Sequence, residues 1–167
     1  LVELLLENGA DPNRRERHGR TALHIAAGDG YSDIVRILVE DGADVDAKVH
    51  GWTPMLLAAK AWRFRIPDYL IERGANVNAA DYHGRRALHW AAHHGGVTLA
   101  RLLLQRGAEI EAQDRWGKTA FQWAVATANI ESQIYFGSQG LIPPESVEVL
   151  CVHAIEVTRA EKGFRTL

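Results

Sequence analysis

A short phrase returns four times along this chain at a nearly fixed interval. It reads Gly19-Arg-Thr-Ala-Leu-His24, Gly51-Trp-Thr-Pro-Met-Leu56, Gly84-Arg-Arg-Ala-Leu-His89 and Gly117-Lys-Thr-Ala-Phe-Gln122, with glycines 32, 33 and 33 residues apart. A second phrase keeps step with it: Gly9-Ala10-Asp11, Gly42-Ala43-Asp44, Gly74-Ala75-Asn76 and Gly107-Ala108-Glu109, spaced 33, 32 and 33. Each copy closes an apolar stripe such as Ile34-Val35-x-x-Leu38-Val39 or Leu99-x-x-Leu102-Leu103. A unit of this length cannot bury its apolar face alone, so such a period restricts the chain to a stack of similar units sharing one continuous core.

The residues of the phrase have separable physical roles. Thr21, Thr53 and Thr119 stand where a hydroxyl can cap the first helix of each unit, and Pro54 suits a first helical turn. The pairs Ala26-Ala27, Ala58-Ala59 and Ala91-Ala92 allow close helix contact, and the glycine of the second phrase supplies a left-handed helix end. In period and phrase, residues 1 to about 128 closely resemble the ankyrin repeat, whose signature is a Thr-Pro-Leu-His turn into the first of two antiparallel helices. The resemblance implies an all-α solenoid of antiparallel helix pairs joined by β-hairpin-like loops. It also implies that His24 and His89 hydrogen-bond neighbouring backbone and tie one unit to the next.

The expected order is a partial first unit with its second helix over 1–7, then helix pairs at 21–29 and 32–41, 53–61 and 65–73, and 86–94 and 97–106. Repeats are expected over 1–140, the fourth degenerate, with a first helix at 119–128. The chain opens on Leu1, directly into an apolar helix pattern, which is read as a fragment of a longer protein. The loop from Gly42 to Gly51 is one residue shorter than the others and should have a reshaped tip without breaking the stack.

Departures from the pattern are informative. Arg86 replaces the capping Thr, which should cost about 1 kcal/mol unless another group caps. Trp62 takes the slot filled by Gly30 and Gly95, and Pro67 is tolerable only within a first helical turn. After helix 119–128 the segment Asn129 to Gly140 lacks a clear apolar stripe, Pro143-Pro144 breaks the chain, and a helix pattern runs from Glu145 to about Glu161. Residues 141–167 are therefore expected to be the displaced second helix of the fourth unit, with an appended capping helix as the alternative. The stretch from Ser146 to Ile155 also looks like the elongin-binding helix of the SOCS box, which would make Leu150, Cys151 and Ile155 contacts. Against that likeness, Val147 and Val152 depart from the usual residues and no downstream Leu-Pro segment follows.

In the ankyrin family, partner-binding positions flank the Gly-x-Thr phrase on the concave face formed by the hairpin tips and first helices. Projected here they are Arg17, His18, Arg20 and Asp29; Val49, His50, Trp52, Lys60 and Ala61; Tyr82, His83, Arg85, His93 and His94; Arg115, Trp116, Lys118 and Thr127. Among them Arg17, His18, Arg20, His50, Trp52, Lys60, Tyr82, His83, Arg85, His93, His94, Arg115, Trp116 and Lys118 form an aromatic and basic set of the kind found at interaction hot spots. The second helices carry Glu3, Glu7, Asp33, Glu40, Asp41 and Glu72, so a formal net charge of −2 can conceal a polarised molecule. A protein or peptide partner follows, with an acidic segment the best match and binding that weakens with salt.

Other chemistries find less support. His50, His83, His93 and His94 could share one surface, but adjacent helical histidines diverge by about 100° and no carboxylate or cysteine completes a metal set. No nucleophile elbow, zinc-protease motif, phosphate loop or dinucleotide fingerprint occurs, so no catalytic residue and no cofactor are expected. A charge near neutrality favours neither nucleic acid nor a membrane surface, and no small-molecule ligand is implied. The lone Cys151 excludes an internal disulfide and suggests a reducing intracellular compartment, cytoplasmic or nuclear. The chain is thus read as a non-enzymatic interaction scaffold. The alternatives are a substrate-recruiting adaptor of a cullin-type ubiquitin ligase and the non-catalytic repeat region of a larger enzyme.

Overall fold

The computed structural model describes residues 1–63 and 65–141. Two layers of helices alternate along the chain. The inner layer holds α2 (Ala22–Asp29), α4 (Pro54–Lys60), α6 (Ala87–His94) and α8 (Ala120–Ala126). The outer layer holds α1 (Val2–Glu7), α3 (Ser32–Glu40), α5 (Arg65–Glu72), α7 (Val97–Gln105) and α9 (Ile130–Phe136). Each helix packs on its equivalent in the next unit, inner on inner and outer on outer, and on its own antiparallel partner. This is the expected all-α solenoid.

Small residues make the inner packing possible. Ala26, Ala27, Ala58, Ala59, Ala91, Ala92 and Ala124 are all buried between inner helices, while Leu38, Ile66, Leu70, Leu99 and Leu103 fill the space beneath the outer layer. Thr21, Thr53 and Thr119 cap α2, α4 and α8 through their hydroxyls, accepting from the backbone N–H of His24, Leu56 and Gln122. Pro67 is the third residue of α5, within the first turn, and is buried. Trp62 occupies its left-handed slot at φ 58°, a conformation that costs a non-glycine residue of order 1 kcal/mol. Its ring lies over His94 at 4.9 Å, and a Cβ on Gly96 would meet that ring at 2.6 Å.

The short loop does have a different tip. Val49 and Trp52 exchange both backbone hydrogen bonds at 2.9 Å around His50 and Gly51, whose positive φ angles of 49° and 78° define a two-residue hairpin turn. The other three loops carry one residue more, with Glu16, Asp81 and Asp114 donating to the carbonyls of Arg20, Arg85 and Lys118. The stack continues through the short loop without interruption.

The fourth unit has a second helix in register. α9 packs on α7 and α8, with Phe136 fully buried, Ser132 and Gln133 also buried, and the Gln133 amide donating to the Ala124 carbonyl at 3.2 Å. This face is partly polar, which is why its apolar stripe is weak in the sequence. A turn follows at Gly137–Leu141, with Gly140 in the left-handed region at φ 84°. The helix expected over 145–161, and with it the SOCS-box likeness and its contacts Leu150, Cys151 and Ile155, lies outside the described residues. Among the described residues no helix is long and apolar enough to cross a membrane.

Candidate functional site: the concave hairpin face

The inner helices and hairpins form one face, and its side chains follow the repeat register. One row is Arg20, Trp52, Arg85 and Lys118, each just after a hairpin glycine; a second, deeper row is Ile25, Leu57, Trp90 and Trp123. The rows interlock in the middle of the stack. Lys60 Nζ lies 4.8 Å from the Trp52 ring centre, and the Arg85 guanidinium lies 5.3 Å from Trp52 and 5.0 Å from Trp90. Trp90 then meets Trp52 at 6.0 Å and Trp123 edge-on at 5.2 Å, with His93 edge-on to both Trp90 and Trp123. Alternating cations and indoles of this kind attract through the ring quadrupoles and hold one another in place.

A second cluster occupies the tips of the third and fourth hairpins. His83 sits between Tyr82 at 3.9 Å and Trp116 at 5.3 Å, and Arg115 lies over Trp116 while reaching His83 Nδ1 at 3.3 Å. Tyr82 and Trp116 remain 69% and 59% exposed, so their rings offer apolar surface at low entropic cost to a partner. Arg17, His18 and Arg20 are exposed in the first hairpin, where Arg20 pairs with Glu16 at 2.7 Å, and His50 is exposed at the short turn. The first unit therefore adds cations to the face but no indole.

Several of these residues are committed to the fold. Arg85 is only 18% exposed in its side chain and holds Asp81 Oδ2 at 2.6 Å, while the Asp81 side chain is fully buried and also accepts the backbone N–H of His83 and Arg85. The His94 Nε2 contacts the Lys60 carbonyl at 2.9 Å, tying α6 to the preceding unit. His24 and His89 reach the carbonyls of Trp52 and Lys118 at 3.2 and 3.1 Å, and each ring Nδ1 accepts the backbone N–H of the residue capping its own helix. Burial lowers the pKa of both imidazoles below the ordinary value, partly countered by those carbonyls. For His93, burial and the neighbouring His94 act in the same direction.

Two equivalent carboxylates escaped sequence reasoning although their spacing of 33 residues was visible. In the third unit Asp81 is taken by Arg85; in the fourth, Asp114 accepts the N–H groups of Trp116 and Lys118 and the indole N–H of Trp123, each at 2.9 Å. Burial alone would raise the Asp114 carboxyl, but these donors outweigh it and hold the group below the usual carboxylate range. Trp90, by contrast, is 7% exposed and its indole N–H has no partner among the described residues. Trp123 also belongs to the site. With His93, Asp114, Trp116, Lys118, Ala126 and Thr127 it lines a cavity of about 410 Å³ at the fourth-unit end of the face.

Polar bridges between hairpins were missed for the same reason. Asn13 donates to the Gly42 carbonyl and accepts from Asp44 N–H; one unit on, Asp46 accepts from Asn76 N–H; then Asn78 donates to Gly107 and accepts from Glu109 N–H. Their spacing of 33 and 32 is the repeat itself. The capping defect at Arg86 is half repaired: His89 Nδ1 accepts the Arg86 N–H, no hydroxyl caps the His89 N–H, and the guanidinium pairs with Glu109 at 2.9 Å.

The expected separation of charge is only partial. Glu3, Glu7, Asp33, Glu40, Asp41 and Glu72 are exposed on the outer layer, yet Arg36, Arg65, Arg101 and Arg106 are exposed there too. What distinguishes the concave face is that Glu16, Asp81 and Asp114 are engaged by local donors. No group of three or more metal-ligating side chains occurs among the described residues.

A stack of paired helices joined by hairpins, bearing such a face, defines a repeat protein of the interaction-module class. The chain matches the family model for ankyrin repeats (three copies) over residues 1–81 and 50–114, and it belongs to the ankyrin-repeat family, whose members are known protein–protein interaction modules. Among similar proteins, human neurogenic locus notch homolog protein 1 is 43% identical over 90 residues, the Xenopus laevis protein of the same name 42%, and human neurogenic locus notch homolog protein 2 41%. Each match covers 53% of this chain but 4% of the relative, so the likeness concerns a repeat region within much longer proteins.

Proposed function

We propose that this chain is a non-catalytic scaffold that holds an acidic segment of a partner protein along the concave hairpin face. The observation that carries this reading is the run Lys60, Trp52, Arg85 and Trp90, in which cations and indoles alternate at 4.8 to 5.3 Å across two units. Carboxylates of a partner would meet Lys60, Lys118 and Arg115 at the edges of this run, where local acidic groups are already occupied. Tyr82 and Trp116 would cover its apolar side chains. Such a surface sets specificity and association rate more than raw affinity.

The test is binding of the purified chain to matched arrays of acidic and basic peptides at two salt concentrations. Acidic sequences should bind preferentially and lose affinity as salt rises. Lys60→Glu and Tyr82→Ala, both at exposed positions, should each weaken capture about ten-fold, because hot-spot residues typically contribute more than about 1 kcal/mol; Tyr82→Ala should leave the melting curve unchanged, whereas Lys60→Glu also loses the Trp52 contact and should cost about 1 kcal/mol of stability. Arg85→Ala is unsuitable for this purpose, since it also strips the buried Asp81 of its charged partner. Preference for basic peptides, or indifference to Lys60→Glu, would sink the proposal.

A further inference from the structure

The cavity beside Trp123 lies where the third and fourth units differ: Lys118, Ala126 and Thr127 stand where Arg85, His93 and His94 stand one unit earlier. In the third unit the residue after the hairpin glycine is Arg85, which reaches back to Asp81 and lies over Trp90. The corresponding Lys118 makes no such contact with Trp123 among the described residues, and Asp114 is held by N–H donors instead. The space that a guanidinium occupies over Trp90 is therefore open over Trp123. Its walls are two indoles, the His93 ring, and the small side chains Ala126 and Thr127.

The chemistry of the cavity is that of an anchor pocket. Its volume of about 410 Å³ lies at the small end of the range in which proteins hold compact ligands. The Trp123 indole is fixed through its N–H to Asp114 at 2.9 Å, so its face is preorganised and little freedom is lost on binding. The one carboxylate in the lining accepts three N–H donors and has little remaining capacity to attract a cation. Lys118 is the permanent cation among the lining residues and is exposed at the rim.

We infer that this cavity receives one aromatic side chain of a partner segment, with flanking carboxylates directed to Lys118. This rests on the reading of the concave face as a binding surface for an acidic segment, and it identifies where that segment is anchored. The aromatic ring enters between Trp116 and Trp123, edge to face, in the geometry in which Trp90 already meets Trp123 at 5.2 Å. Aliphatic or small residues leave the indole walls partly uncovered and bind less well.

The test uses the full 167-residue chain and three capped pentapeptides: Glu-Glu-Phe-Glu-Glu, its Phe→Ala counterpart, and Lys-Lys-Phe-Lys-Lys. Titration calorimetry and indole N–H signals in heteronuclear spectra are the readouts. The acidic Phe peptide should bind about ten-fold tighter than the Ala peptide, as expected for one filled apolar subsite, and should move the Trp116 and Trp123 signals. Ala126→Trp, at an exposed position on the cavity wall, should abolish the Phe advantage while leaving the Ala peptide unaffected; Lys118→Glu should weaken both acidic peptides. Equal binding of the Phe and Ala peptides, or a Phe advantage that survives in a folded Ala126→Trp variant, overturns the anchor and leaves the acidic-groove reading standing. Preference for the basic peptide, or no binding of any, overturns both. If Ala126→Trp does not fold, the Phe and Ala peptides on the unaltered chain still decide the matter.

Discussion

The Trp123 indole N–H donates to Asp114 Oδ2 at 2.9 Å and so joins the inner helix of the fourth unit to its own hairpin. Asp114 also accepts two backbone N–H groups, which lose this partner when the carboxylate is removed. Asp114→Ala should therefore destabilise the chain by about 2–3 kcal/mol, above the loss expected for a surface carboxylate. Chemical denaturation measures this directly, and a loss below about 0.5 kcal/mol would show that the hairpin does not depend on the contact.

One unit earlier, Arg85 occupies the carboxylate that an indole takes in the fourth. Arg85→Lys makes the two units alike at this position, and Trp90 should then donate to Asp81 as Trp123 does to Asp114. The Trp90 indole N–H signal is expected to move toward that of Trp123, with stability altered by less than about 1 kcal/mol because one hydrogen bond replaces another. An unmoved Trp90 signal would mean that backbone placement, not Arg85, keeps the indole from Asp81.

His24 and His89 should make the stack sensitive to mild acid. Each ring accepts an N–H at Nδ1 and faces a carbonyl with Nε2, an arrangement that a neutral imidazole protonated on Nε2 satisfies and an imidazolium does not. Burial lowers both pKa values, so on acidification the unfolded chain takes up these protons before the folded one does. Their contribution is full above the unfolded value near about 6.5 and declines as pH falls from there toward the folded values, by at most about 1.4 kcal/mol per pH unit for each histidine. Asp114, with a lowered pKa, adds a loss only at the lower pH of carboxylate titration. Melting temperature should fall between pH 7 and pH 5 in the parent chain, and less steeply in a folded His89→Gln variant; equal slopes would remove His89 from this account.

The vacant cap of α6 offers a stabilising change. Arg86→Thr supplies the hydroxyl that caps the other inner helices and sacrifices an ion pair to Glu109, whose side chain is 61% exposed. A cap is worth about 1 kcal/mol and a solvent-exposed pair a few tenths, so a net gain of about 0.5–1 kcal/mol is expected. A drop in melting temperature would show that the Arg86 bridge to Glu109 and Asn78 matters more than the cap.

Much of the fold was legible because its signals are local and periodic. A Thr hydroxyl that accepts the backbone N–H three positions on, a Gly at a helix end and an Ala pair facing a neighbouring helix each act within a few residues, and repetition at 32–33 residues multiplies them. α9 was harder to see because burial there includes Ser132 and Gln133, which carry no apolar signature and are accommodated only by the neighbouring helices. The candidate site was legible as a set of positions, not as an arrangement. Trp90 and Trp123 fall outside the positions projected from the phrase, and only the stacked units show that they floor the same face as Trp52.

The repeat alone determined the ankyrin architecture, the order of its helices and the side from which Trp52, Arg85 and Lys118 project, since all follow from period and register. Only the tertiary structure decided which cations are engaged. Arg85 and Lys118 hold equivalent positions, yet one spans the distance to a buried carboxylate and covers an indole while the other leaves its indole face open. Side-chain reach and competition for a shared acceptor are properties of neighbouring units in space, and no single phrase of the sequence contains them.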